Sequence, residues 1–261
     1  MLLKRLLPEP VKRIARNALE HARLEYQLRR ATPVFVWQMG KVGSKSIYYS
    51  LSTHYPGAVL HAHRLSATHE ESEIRRLYEW AVVQQKPLDI ISLTREPIGR
   101  NVSAFFENFG RDTGMSYEQA SFSLGELKAI FLANYEHDTP LQWFDNNIRK
   151  HFGIDVYATP YPENGTATYG HRNVRLLVIR LEAGDAVISE AIKQFLGLTA
   201  FELIKKNVSQ DKDYAMTYDA FTRTVKLPDD YIARMCESKY FTHFYSQETI
   251  DMVRKKWREN A

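Results

Sequence analysis

Residues 34–47, Val-Phe-Val-Trp-Gln-Met-Gly-Lys-Val-Gly-Ser-Lys-Ser-Ile, run from an unbroken apolar stretch through a Gly/Lys/Ser turn straight into a helix-forming segment. An apolar run with no polar alternation suits a strand covered on both faces of a parallel sheet. Glycines in the turn let a backbone come close to an anion with no Cβ in the way. The amides of Val42, Gly43, Ser44, Lys45 and Ser46 then lie where unpaired donors and the helix dipole favour negative charge. The expected element is a phosphate cradle. It is not a Walker A loop, which needs Gly-Lys-Ser/Thr after a four-residue gap; here Lys41 precedes Gly43, and Lys45 follows Ser44.

The 261 residues are 44% hydrophobic and 12% aromatic, which excludes disorder and suits one large α/β domain. No stretch nears the ~18 consecutive apolar residues of a membrane span. The single cysteine, Cys236, rules out an internal disulfide framework and multi-cysteine metal sites, and no cleavable signal pattern opens the chain. A reducing cytoplasm is the expected compartment. The net charge of +4 is unevenly spread: residues 1–30 hold eight Lys/Arg against three Glu, and the remainder holds 27 basic and 28 acidic groups. In residues 1–32, Val11, Ile14, Ala15, Ala18, Leu19, Ala22 and Tyr26 recur at helical spacing, with Arg13, Arg16 and Arg23 on the other side. Such a basic amphipathic helix either docks on the 33–261 domain or makes a peripheral contact with the inner face of the membrane. The body lacks a basic stripe interleaved with aromatics, which argues against nucleic acid.

Further strands are expected at 58–61 and 88–94, a short edge strand at 155–158, and a last strong strand at 174–181. Helices are expected over 66–84 with Ser66 as N-cap, after Pro97 with Ile98, Val102, Phe105, Phe106 and Phe109 on its buried side, twice between 117 and 150, and over 184–196. Residues 160–172 read as a loop. Strands alternating with helices imply a central parallel sheet flanked by helices, with ligands gathering outside the C-terminal strand ends. That rule brings the 40–46 loop, His61, His63, Arg95 and the turn after Arg180 to one rim.

Lys41-Val-Gly-Ser-Lys-Ser46, together with Arg95 and Ser103 eight residues on, resembles the PAPS-dependent sulfotransferase family. Its 5′-phosphosulfate loop has the form Lys-x-Gly-Ser/Thr, and its 3′-phosphate motif is an Arg followed eight positions later by a Ser. Gln38-Met-Gly-Lys-Val-Gly-Ser44, His61-Ala-His-Arg-Leu-Ser66 and the aromatic ending from Phe241 to Trp257 are most similar to a bacterial branch of capsular polysaccharide synthesis proteins. The resemblance, from Pro33 onward, implies a P-loop-like sulfotransferase fold and 3′-phosphoadenosine 5′-phosphosulfate (PAPS) as co-substrate, without a metal. It implies that residues 41–46 hold the 5′ end, Arg95 and Ser103 the 3′-phosphate, and that Lys41 acts on the departing phosphate. A late basic loop of the family makes Lys205, Lys206 and Lys212 candidates for the 3′-phosphate or adenine side. The chain departs from the pattern at Gly40, where many members carry Pro, and at Lys45, which interrupts the hydroxyls.

The acceptor hydroxyl needs a base near neutral pKa, and His63, then His61, are the candidates, two apart on an extended segment. With His69 they make a poor ligand set for a metal. Arg180 and Glu182 resemble a structural strand-end ion pair of the family. The expected activity is O-sulfation of a glycan or small secondary metabolite; the rivals are a nucleotide-dependent kinase and a catalytically inactive member of the same fold serving as a binding protein.

Overall fold

We describe the protein from a computed structural model, which covers residues 8–115, 122–204 and 214–258. Helix α1 (Glu9–Arg30) leads into β1 (Val34–Trp37), followed by α2 (Ser44–His54), β2 (Val59–Ala62), α3 (Ser72–Tyr78), β3 (Leu88–Thr94) and α4 (Pro97–Thr113). Then come α5 (Leu124–Asn134), α6 (Thr139–Phe144), α7 (Lys150–Phe152), β4 (Thr166–His171), β5 (Val174–Arg180) and α8 (Asp185–Leu196). The chain ends in α9 (Ala215–Thr224), α10 (Asp229–Cys236), α11 (Lys239–Phe244) and α12 (Gln247–Trp257). The sheet has the order β2-β1-β3-β5-β4; the first four strands are parallel, and β4 pairs antiparallel with β5.

Burial explains the strand sequences. Every residue of β1 and β3 is buried, as helices on both faces require. The lone acid of β3, Asp89, is 2% exposed and takes both bonds of the Arg175 guanidinium at 2.7 and 2.6 Å, a fork that keeps its charge paired. On the buried side of α4, Ile98, Val102, Phe105, Phe106 and Phe109 are at most 1% exposed. Pro97 opens that helix, and the Glu96 carboxylate caps it, accepting from Ile98 N at 3.0 Å and Gly99 N at 2.7 Å. A Cβ on residue 99 would stand 2.0 Å from Glu96 Oε1, so only glycine leaves room for the cap.

Several expectations are corrected. The second strand lies one residue later, at Val59–Ala62. The helix expected from Ser66 starts at Ser72 after Glu71, because the Arg75 guanidinium gathers the carbonyls of His69 and Glu70 into a turn ahead of it; a π-helical turn, Glu79–Val83, then ends it. Residues 155–158 are a turn, closed by Tyr157 N–H on Asp155 Oδ1 at 3.0 Å. Conversely, the expected loop 160–172 contains β4, whose polar Thr-Ala-Thr-Tyr-Gly-His sequence suits a sheet edge. In α1 the apolar stripe read from the sequence is not the docked face. Leu24 and Leu28 are buried, and Glu25 pairs with Arg76 of α3, whereas Val11, Leu19 and Tyr26 are exposed.

Among the described residues no helix is long and apolar enough to cross a membrane.

Candidate functional site

The cradle loop leaves β1 at the C-terminal end of the sheet and turns through two left-handed residues, Lys41 at φ 71° and Gly43 at φ 81°. Gly43 is the N-cap of α2 and no side chain caps it. A Cβ on Gly43 would lie 3.0 Å from Leu181 Cδ1, which brings the turn after β5 against the loop. Val42 is buried and anchors the turn in the core. Ser44 is 6% exposed, and its Oγ lies 2.9 Å from His61 Nε2. Ser46 is half-buried, and its carbonyl accepts from Ser50 Oγ at 2.8 Å. Lys45 is exposed, close enough to the two histidines that its charge disfavours their protonation.

The two motifs touch. Arg95 sends Nη1 to the Lys41 carbonyl at 3.0 Å, and Arg100, five residues further on, sends Nε to the Gly40 carbonyl at 3.1 Å. The Arg95 backbone is itself held by Tyr240, whose hydroxyl accepts from Arg95 N–H at 3.1 Å and donates to Arg95 C=O at 2.9 Å. Ser103 lies half-buried on α4, one turn before Glu107. Lys41 Nζ is 3.3 Å from Glu107 Oε2, which also accepts from the Tyr214 hydroxyl at 2.5 Å.

Arg100, Glu107, Tyr214 and Tyr240 escaped the sequence reading. Arg100 is 5% exposed, bonded also to Asn101 Oδ1 at 3.0 Å and Tyr135 Oη at 2.8 Å; among the described residues no carboxylate pairs with it. Burial pulls its pKa down, yet a guanidinium stays charged, so a buried positive charge lies directly under the loop. The available signal was an arginine at the start of an otherwise apolar helix face.

His61 and His63 stand edge to face, 5.3 Å between ring centres. Burial first, then the neighbouring His63 and Lys45, drops the pKa of His61 to about 4. His63 Nδ1 is 2.9 Å from the Gln38 carbonyl. A carbonyl only accepts, so Nδ1 carries the proton and Nε2 of the neutral ring keeps its lone pair. That Nε2 is 3.5 Å from where a Gly40 side chain would start, so it faces the loop. Burial, Arg100 and Lys45 lower the His63 pKa, against the pull of the Gln38 carbonyl.

Loop, histidines, Arg95 and the turn after Arg180 therefore share one rim. Arg180 and Glu182 do not bond each other. Arg180 reaches the Phe244 and Glu163 carbonyls at 3.2 and 2.9 Å, and Glu182 accepts from Glu96 N–H at 3.0 Å and Tyr245 Oη at 2.9 Å. They tie the rim to α11 instead. Lys205, Lys206 and Lys212 lie outside the described residues; on either side, Ile204 N–H bonds Ser50 of α2 at 2.7 Å and Tyr214 bonds Glu107 of α4. Among the described residues no three His, Cys, Asp or Glu side chains form a group able to hold a metal ion.

Residues 120–246 match the model of a family described as "Putative capsular polysaccharide synthesis protein". The match spans a little under half of the chain. It takes in β4, β5 and the aromatic α11 but not the cradle loop, the histidines or Arg95. No curated protein and no solved structure matches the chain.

Proposed function

We propose that the protein is a PAPS-dependent sulfotransferase that sulfates a hydroxyl of a carbohydrate or small secondary metabolite. The observation that carries this reading is the contact between the two anion motifs, with Arg95 and Arg100 bound to successive carbonyls of the Gly43-capped loop. Three cations, Lys41, Lys45 and Arg95, then gather at one rim with the N-terminus of an 11-residue helix, and the buried Arg100 adds its charge from beneath the loop. A donor carrying phosphate groups at both ends matches that charge. The family similarity in residues 120–246 fits a glycan-directed transferase. A kinase reading is weaker: the acid on β3, Asp89, sits at the far end of the strand and is consumed by Arg175.

PAPS supplies the sulfuryl group and departs as adenosine 3′,5′-bisphosphate. In this reading the α2 amides and Ser44 hold the 5′ end, and Arg95 with Ser103 holds the 3′-phosphate. Lys41 exchanges Glu107 for the departing phosphate, where charge grows, so it acts on the transition state more than on the ground state. His63 takes the acceptor proton on Nε2; burial first, then the charges of Arg100 and Lys45, lower its pKa and favour the neutral ring.

The test is calorimetry with adenosine 3′,5′-bisphosphate in EDTA, followed by sulfate transfer from labelled PAPS to a panel of glycans and phenols. At 100 times Kd the nucleotide adds about 2.7 kcal/mol of stability, about 5 °C in Tm for a chain of this length. Lys41→Ala lowers turnover by roughly 10²–10³. No shift at millimolar nucleotide overturns the reading; a shift without transfer to any acceptor favours the inactive binding protein.

A further inference from the structure

Helix α1 has two apolar faces, and the fold uses one. Leu24 and Leu28, 6% and 2% exposed, face the core, and Glu25 is fastened to Arg76. On the other side Val11, Leu19 and Tyr26 are 42%, 71% and 63% exposed, and Ala15, Ala18 and Ala22 between them are exposed as well. At about 100° per residue these six fall within an arc of about 100°, which Arg29 also enters in the last turn of the helix. Lys12, Arg23 and Arg30 fall on one line along its edge, and Leu24 and Leu28 lie well away from it on the opposite side.

We propose that this outward face of α1 lies on the surface of a bilayer containing anionic phospholipid. The charge pattern selects that occupant. Residues 1–30 hold eight basic groups against three acidic ones, while the rest of the chain is nearly balanced. Long basic side chains beside an apolar arc sit at the phosphate level while the arc enters the acyl boundary. Three of its six apolar residues are alanine, too shallow to fill the pockets of a protein groove, which is read through bulky anchors. A second copy packed face to face and antiparallel would bring two basic rows together, at an electrostatic penalty. Helix α1 enters β1 at the strand end opposite the cradle. The proposal is independent of the sulfotransferase reading.

The experiment is flotation of the full chain with vesicles of phosphatidylcholine alone or with about one-third phosphatidylserine, at low salt and at about 0.5 M salt, where surface charges are screened within a few Å. Binding to the anionic vesicles alone, released by salt, is expected. Leu19→Glu with Tyr26→Glu lowers the bound-to-free ratio at least about tenfold, and Arg23→Gln with Arg30→Gln removes the preference for phosphatidylserine. All four positions are exposed, so the Tm of each variant stays near that of the parent. Three results overturn the proposal: no flotation with anionic vesicles at low salt; equal flotation of the Leu19→Glu/Tyr26→Glu variant; or self-association in solution that this variant abolishes, which assigns the face to a second copy.

Discussion

Replacing Tyr240 with Phe removes one oxygen and strands two backbone groups of a residue 145 positions away. The ring is 0% exposed, and its hydroxyl accepts from Arg95 N–H at 3.1 Å while donating to Arg95 C=O at 2.9 Å. Phe fits the same space, so no cavity of consequence forms and the loss is that of hydrogen bonding. An unsatisfied buried donor or acceptor costs about 1–3 kcal/mol, and with two of them at a partly buried rim the expected loss is about 2–4 kcal/mol. For a chain of this length that lowers Tm by about 4–8 °C. Burial holds the Tyr240 pKa well above its ordinary value, so the hydroxyl remains a donor and the loss is the same at pH 6 and pH 8. Urea unfolding should show a lower midpoint with unchanged slope. Because the same bonds aim Arg95 at the loop, the stabilisation proposed for adenosine 3′,5′-bisphosphate should shrink in parallel. Tyr26→Phe, on an exposed ring, is the control and stays within about 0.5 kcal/mol. A Tyr240→Phe loss no larger than that control would refute the reasoning, because Arg95 would then be satisfied by water.

Gly43→Ala places a Cβ 3.0 Å from Leu181 Cδ1 at φ 81°, and should destabilise by about 1–2 kcal/mol; made in a Leu181→Ala background, where the contact is relieved but the backbone strain is not, it should lower the urea midpoint by less but not by zero. His61 has a folded pKa of about 4 against an ordinary value near 6.5, so the unfolded chain takes up the proton first. Its contribution, about 2–3 kcal/mol, is therefore fully present above pH 6.5 and is lost as the pH falls towards 4; denaturation at pH 7 and 4.5 should show that slope flattened in His61→Gln, and an unchanged slope counts against it. His63→Gln should lower kcat/KM for sulfate transfer by about 10²–10⁴ and abolish an acid limb lying below pH 6.5 in the parent, since the His63 pKa is lowered; a limb that survives the substitution assigns the base elsewhere.

How far the sequence could be read follows from how local each signal is. The runs at 34–37, 88–94 and 174–180 identify themselves as core strands, because most of their residues are apolar and buried. Pro97 and the aromatic spacing behind it mark α4 without any tertiary information. Strand β4 was missed because an edge strand has no such requirement: its polar residues pair only because β5 offers a free edge and the 171–174 turn returns the chain to it. The docked face of α1 was misread for a related reason, since a helix with two apolar faces does not announce which one meets the core.

Residue types along the chain by themselves determined the parallel α/β core, the Gly/Lys/Ser turn that leads from β1 into a helix, and the rim to which strand ends deliver Arg95, His61 and His63. The tertiary structure alone decided that Arg100 lies under Gly40, that Lys41 is engaged by Glu107, and that Tyr240 holds Arg95. The first set rests on hydrophobic periodicity and backbone sterics, which act over a few residues. The second rests on hydrogen bonds and charges that act over about 3 Å in space, between partners 60, 66 and 145 positions apart in the chain.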